Sequence, residues 1–67
     1  MNEFKKWLEE NFIWWYSETD KKNKRYYIRY WCKKRGIKTI ELPFSIFKDK
    51  AKLKKIKESM LFDRDMT

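Results

Sequence analysis

The chain has no histidine, one cysteine, one glycine and one proline in 67 residues. A single cysteine cannot form an internal disulfide, and without histidine a zinc or haem site of ordinary type lacks its ligands. General acid–base catalysis most often uses histidine, and nucleophilic catalysis needs a Ser, Cys or Thr beside a base. No such set is present. The only glycine, Gly36, leaves no glycine-rich phosphate loop. Glu9 and Glu10 are adjacent, so their carboxylates diverge on a helix. The chain reads as non-catalytic, with no cofactor and no metal.

Long apolar runs are missing too. The longest is Phe12-Ile-Trp-Trp-Tyr16, far short of the roughly 20 residues that a membrane span needs. The N-terminal segment carries Glu3, Glu9 and Glu10, where a secretory signal would have a basic and then an apolar region. The expectation is a cytoplasmic protein with a reduced thiol and no membrane association.

Aromatic mass and positive charge are what the chain has. Four Trp, four Tyr and five Phe supply a rich core for one small domain, since each buries about 150–250 Å². The net charge is +8 and the pI about 9.7. From Lys21 to Lys38 there are nine basic residues and no acidic one, whereas the first twenty residues hold two Lys against five carboxylates. That asymmetry points to a side that faces a polyanion.

The stretch Arg25-Tyr-Tyr-Ile-Arg-Tyr-Trp-Cys32 reads as a central strand, because aromatic and β-branched residues alternate with Arg. Ahead of it, residues 2–11 predict a helix capped by Asn2, with Phe4, Trp7 and Leu8 on one stripe. Strands are expected at 12–18, 24–33 and 37–44. Asp20-Lys-Lys-Asn23 and Lys33-Lys34-Arg35-Gly36 form the turns. Pro43 cannot donate to a ladder and puts the third strand at an edge. Ser45 caps a final helix at 46–62, in which Leu53, Ile56 and Met60 share a face. Residues 63–67 form a frayed tail. The fold class is α+β, one domain of order α-β-β-β-α: a three-stranded antiparallel meander with the C-terminal helix on one face.

Three-residue hairpin loops would pair Asp20 with Lys24, and Lys33 with Ile37. Phe12, Trp14, Tyr16, Tyr26, Ile28, Tyr30, Cys32, Ile40, Leu42 and Phe44 would then share the core face. Ile13, Trp15, Ser17, Arg25, Tyr27, Arg29, Trp31, Lys33, Ile37, Thr39 and Glu41 would line the other. Cys32 on the core face is an inert small hydrophobe. Which face the first helix covers is open at this point.

The second face is the candidate site. Arg29 flanked by Trp15, Tyr27 and Trp31 offers a guanidinium beside stacking platforms for bases, and a sheet with basic turns can lie in a duplex groove. Arg25 stands on the same row. Lys21, Lys22 and Lys24 at one end, and Lys33, Lys34 and Arg35 at the other, would grip phosphates. The same aromatic face could instead anchor a protein partner, with Ile13, Trp15, Tyr27 and Trp31 as anchors and Arg29 as a hot spot.

The α-β-β-β-α order resembles the double-stranded RNA-binding domain, whose second helix opens with Lys-Lys-x-Ala-Lys. Here Lys48-Asp49-Lys50-Ala51-Lys52 matches that motif except at Asp49, and the resemblance implies phosphate contacts from Lys48 and Lys52. The first hairpin lacks that family's Gly-Pro-x-His-like segment. A second resemblance is to the small sheet-plus-helix arm-binding domains at the N-terminus of phage and transposon integrases. It rests on Trp14-Trp15-Tyr16, Asn23-Lys24-Arg25 and Phe47-Lys48-Asp49-Lys50-Ala51. It implies a sheet entering the DNA major groove, with Arg25, Tyr27, Arg29 and Trp31 as readers. The expected function is therefore non-catalytic binding of double-stranded DNA by a monomer or weak homodimer, associated with the nucleoid. RNA binding and a small inhibitor or adaptor are the alternatives.

Overall fold

The computed structural model describes residues 1–66. Helix α1 (Asn2–Asn11) precedes strands β1 (Trp15–Asp20), β2 (Arg25–Cys32) and β3 (Gly36–Pro43). A short 3₁₀ turn (Phe44–Lys48) leads into helix α2 (Lys50–Met66). The strands form one antiparallel sheet in the order β1-β2-β3. The expected fold class and element order are what the chain adopts.

Both helices lie against the same face of the sheet. Helix α1 buries Phe4 and Leu8, one turn apart, beside half-buried Trp7. Asn2 lies within the helix, and Met1 rather than Asn2 occupies the cap position, with no side-chain cap bond. The helix ends where Phe12 turns extended, its N–H still bonded to the Leu8 carbonyl. Phe12 is thus a helix-terminal core residue and not the first residue of a strand. Its ring centroid lies 5.1 Å from that of Tyr30 and 5.7 Å from that of Trp7. Phe47 joins α1 to the sheet, 5.5 Å from both Phe4 and Tyr26.

Asp49, not Ser45, caps helix α2. The Asp49 carboxylate accepts from the Lys52 N–H at 3.1 Å, while its carbonyl accepts from the Leu53 N–H at 3.0 Å. The expected frayed tail is also corrected: the helix continues to Met66, and Thr67 lies outside the described residues. Tertiary bonds hold this last turn. Asp63 is buried against Tyr30 and Lys38, Arg64 donates to the Asn11 carbonyl at 2.6 Å, and Lys33 N–H donates to the Arg64 carbonyl at 3.0 Å.

The register corrects the face assignment of β1. Asp20 pairs with Arg25, so four residues, Lys21 to Lys24, make the turn in place of three. The Asp20 carboxylate accepts from Asn23 twice, from the main-chain N–H at 3.2 Å and the side-chain amide at 2.8 Å. That holds Asn23 inside the turn, and the left-handed conformation passes to Lys24, at φ +52°. One extra turn residue inverts every β1 side chain. Trp15 and Ser17 therefore face the helices, while Trp14 and Tyr16 are 45% and 49% exposed.

In the second hairpin the register differs by two residues, which preserves the faces. Cys32 pairs with Gly36, at φ +80°, and Ile40 and Leu42 stand opposite Ile28 and Tyr26. Lys38 consequently stands opposite Tyr30 on the helix-covered side.

Candidate nucleic-acid interface

Because both helices pack on one side, the outer face of the sheet is uncovered. Its rows follow from the pairings. Tyr16, Arg29 and Thr39 lie abreast; Glu18, Tyr27 and Glu41 form the next row; Asp20, Arg25 and Pro43 complete the end beside the first turn. Towards the second turn, Trp31 stands beside Ile37, and its N–H donates to the Trp14 carbonyl at 3.1 Å. Ile37 on this face is 51% exposed, whereas Ile13, 81% exposed, precedes β1 and lies outside its pairings.

The structure brings together most of the residues that the sequence nominates and separates two. Arg29 and Trp31 share the uncovered face with Tyr27 and Arg25. Trp15 does not join them: it is half-buried on the helix side, and its indole N–H donates to Glu9 at 2.8 Å. Lys21, Lys22 and Lys24 are exposed in the first turn, and Lys33, Lys34 and Arg35 in the second, at opposite ends of β2. The Lys33 ammonium lies 3.9 Å from Asp65. Lys48 lines a surface depression with Lys24, Pro43, Phe44 and Ser45, so it adds to the first cationic turn. Lys52 is exposed in the first turn of α2, in the helical layer behind the sheet.

Trp14 and Tyr16 belong to this face although sequence reasoning placed them in the core. The signal that could have found them is the Asp20–Asn23 pair, which allows a four-residue turn as readily as a three-residue one.

The face is electrostatically polarised. Arg25 is paired with Glu41 at 3.0 Å, both side chains being largely exposed. Asp20 keeps its charge well below the usual carboxylate range, chiefly through the bonds from Asn23 and secondarily through Arg25. Carboxylates thus concentrate at the first-turn end. Arg29 is exposed, with no ion pair among the described residues, and lies nearer the aromatic end.

The opposite face offers little reactive chemistry. Burial, with Asp63 nearby, pushes the Cys32 thiol up, which suits an inert packed side chain. Among the described residues no group of three or more His, Cys, Asp or Glu is placed to hold a metal ion. No described helix is long and apolar enough to cross a membrane. No family model, curated protein or solved structure matches the chain.

Proposed function

We propose that this chain binds nucleic acid without catalysis, double-stranded DNA foremost, through the outer face of its sheet. The observation behind this reading is the uncovered row of Tyr16 and Arg29 beside Trp14 and Trp31, set between two lysine-rich turns. Stacking side chains, a guanidinium with no ion-pair partner among the described residues and phosphate-gripping turns are the parts a groove-lying sheet uses. The integrase arm-binding resemblance suggests the same use of a sheet, in a phage or mobile-element setting. Arg29 and Trp31 are the central contacts on this reading, with Tyr16 and Trp14 taking the place expected of Trp15.

A tryptophan-fluorescence titration tests it, with duplex DNA, duplex RNA and single strands, each repeated between about 50 and 200 mM salt. Quenching by duplex DNA that weakens steeply with salt supports the reading. A stronger response to duplex RNA or single strands moves the reading to RNA or unpaired strands. No response to any polymer at low salt overturns it.

A protein partner is the second reading, favoured by the exposure of Ile37 and by Glu18, Asp20 and Glu41 on the same face. Carboxylates repel phosphate, whereas a mixed apolar and charged patch suits protein surfaces.

A further inference from the structure

We propose that the outer face self-associates: two copies pack sheet to sheet about a two-fold axis that crosses the strands. The inference names the partner for the second reading above and does not depend on nucleic-acid binding.

It rests on the order of side chains along β2. Those facing outward are Arg25, Tyr27, Arg29 and Trp31: cation, ring, cation, ring. A two-fold axis lying across the sheet, between the Tyr27 and Arg29 rows, reverses the strand in the second copy. Every cation then meets a ring. Arg29 lies over Tyr27 of the second copy, and Arg25 over its Trp31, with both contacts repeated by symmetry.

The flanking strands reinforce the match. Tyr27 has Glu18 on one side and Glu41 on the other, so the incoming Arg29 enters between two carboxylates. The same overlay sets the sheet-face carboxylates Glu18, Asp20 and Glu41 of each copy against the aromatic, Arg29-bearing end of its mate. Polarity that opposes phosphate over half of the face thus becomes complementary when the ligand is the chain itself. Aligned sheets pack about 10 Å apart, a gap that Arg and aromatic side chains span from both sides.

The area sets the strength. Strands of six to eight residues, at about 3.4 Å per residue and about 4.8 Å between neighbours, make a face of roughly 27 by 14 Å. That is smaller than the roughly 800 Å² per partner of a standard interface, so the dimer is weak and depends on concentration.

Sedimentation equilibrium of the full chain without nucleic acid, from about 10 μM to about 1 mM, measures it. Wild type should rise from monomer to dimer mass across this range. Glu18→Arg and Arg29→Glu should each raise the concentration needed at least tenfold, because each sets like charges against one another. An equimolar mixture of the two variants should recover association, since both cross-interface pairs are again opposite in charge. Circular dichroism checks that each variant is folded, which exposure of both side chains favours. A monomeric wild type throughout, or a mixture no more associated than the single variants, overturns the proposal. Failure to bind DNA in the titration above leaves this result untouched.

Discussion

The Tyr30 hydroxyl donates a hydrogen bond to Asp63 Oδ2 at 2.9 Å, joining the middle strand to the last turn of α2 across 33 residues of sequence. Lys38, directly opposite Tyr30 on β3, pairs with the same carboxylate oxygen. Three elements therefore meet at one buried carboxylate.

Removing that carboxylate should cost more than removing either single donor. Asp63→Ala leaves the Tyr30 hydroxyl and the Lys38 ammonium without it, and is expected to lower stability by about 2–3 kcal/mol, the Lys38 head being able to reach water. Tyr30→Phe leaves Asp63 with Lys38 and should cost about 1 kcal/mol. Urea unfolding of both variants gives the order. Equal costs would show that Asp63 does not join the three elements.

Alkaline pH should weaken the fold. Burial first, then Asp63, raises the Tyr30 phenol far above its ordinary range, and burial likewise raises the Cys32 thiol. The fold thus favours the neutral form of both groups, and their contribution is complete below the unfolded values near 9.0 and 10.0. As pH rises past these values the unfolded chain loses protons first and stability falls. The urea midpoint should be flat near neutrality and decline above the ordinary thiol and phenol range. Tyr30→Phe should flatten the upper part of that decline.

The two hairpins should respond oppositely to glycine. Lys24, at φ +52°, carries a side chain where L-residues are disfavoured, so Lys24→Gly is expected to be neutral or stabilising by about 0.5 kcal/mol. Gly36, at φ +80°, has open space around it, and Gly36→Ala is expected to cost about 1 kcal/mol through the backbone alone. Thermal unfolding of the pair checks the left-handed assignment at each turn.

Tryptophan substitutions should separate the two faces. Trp15 packs against the core and is bonded to Glu9, so Trp15→Ala should destabilise by about 2–4 kcal/mol. Arg29→Ala, on the uncovered face, should change stability by less than about 0.5 kcal/mol yet weaken duplex binding by about 1–3 kcal/mol if Arg29 reads a base. Trp31→Ala should weaken binding by a similar amount, about 1–3 kcal/mol for a lost stacking contact. If Arg29→Ala unfolds the chain, the outer face is core and both binding readings fail.

Much of this architecture was legible because it depends on local chemistry. The β2 pattern needs only alternation, and Ile28, Tyr30 and Cys32 are buried as that alternation requires. Pro43 marks the end of an edge strand, as a residue without an N–H must. The β1 faces are the reverse of those expected because one turn residue decides them, and the bonds from Asn23 to Asp20 arise only once the chain has turned. Trp15 and Tyr16 exchanged roles for that reason alone.

The sequence by itself determined the element order, the central strand and the two cationic turns, since propensity, period and turn chemistry act over a few residues. Tertiary structure decided which side of the sheet is left open. Phe4 and Leu8 dock beside Met60 on the face of Ile28 and Tyr30, where apolar area is buried without desolvating Arg29. It also decided that the last turn is ordered, because Asp63 and Arg64 find partners on β2, β3 and the end of α1 only when distant segments meet.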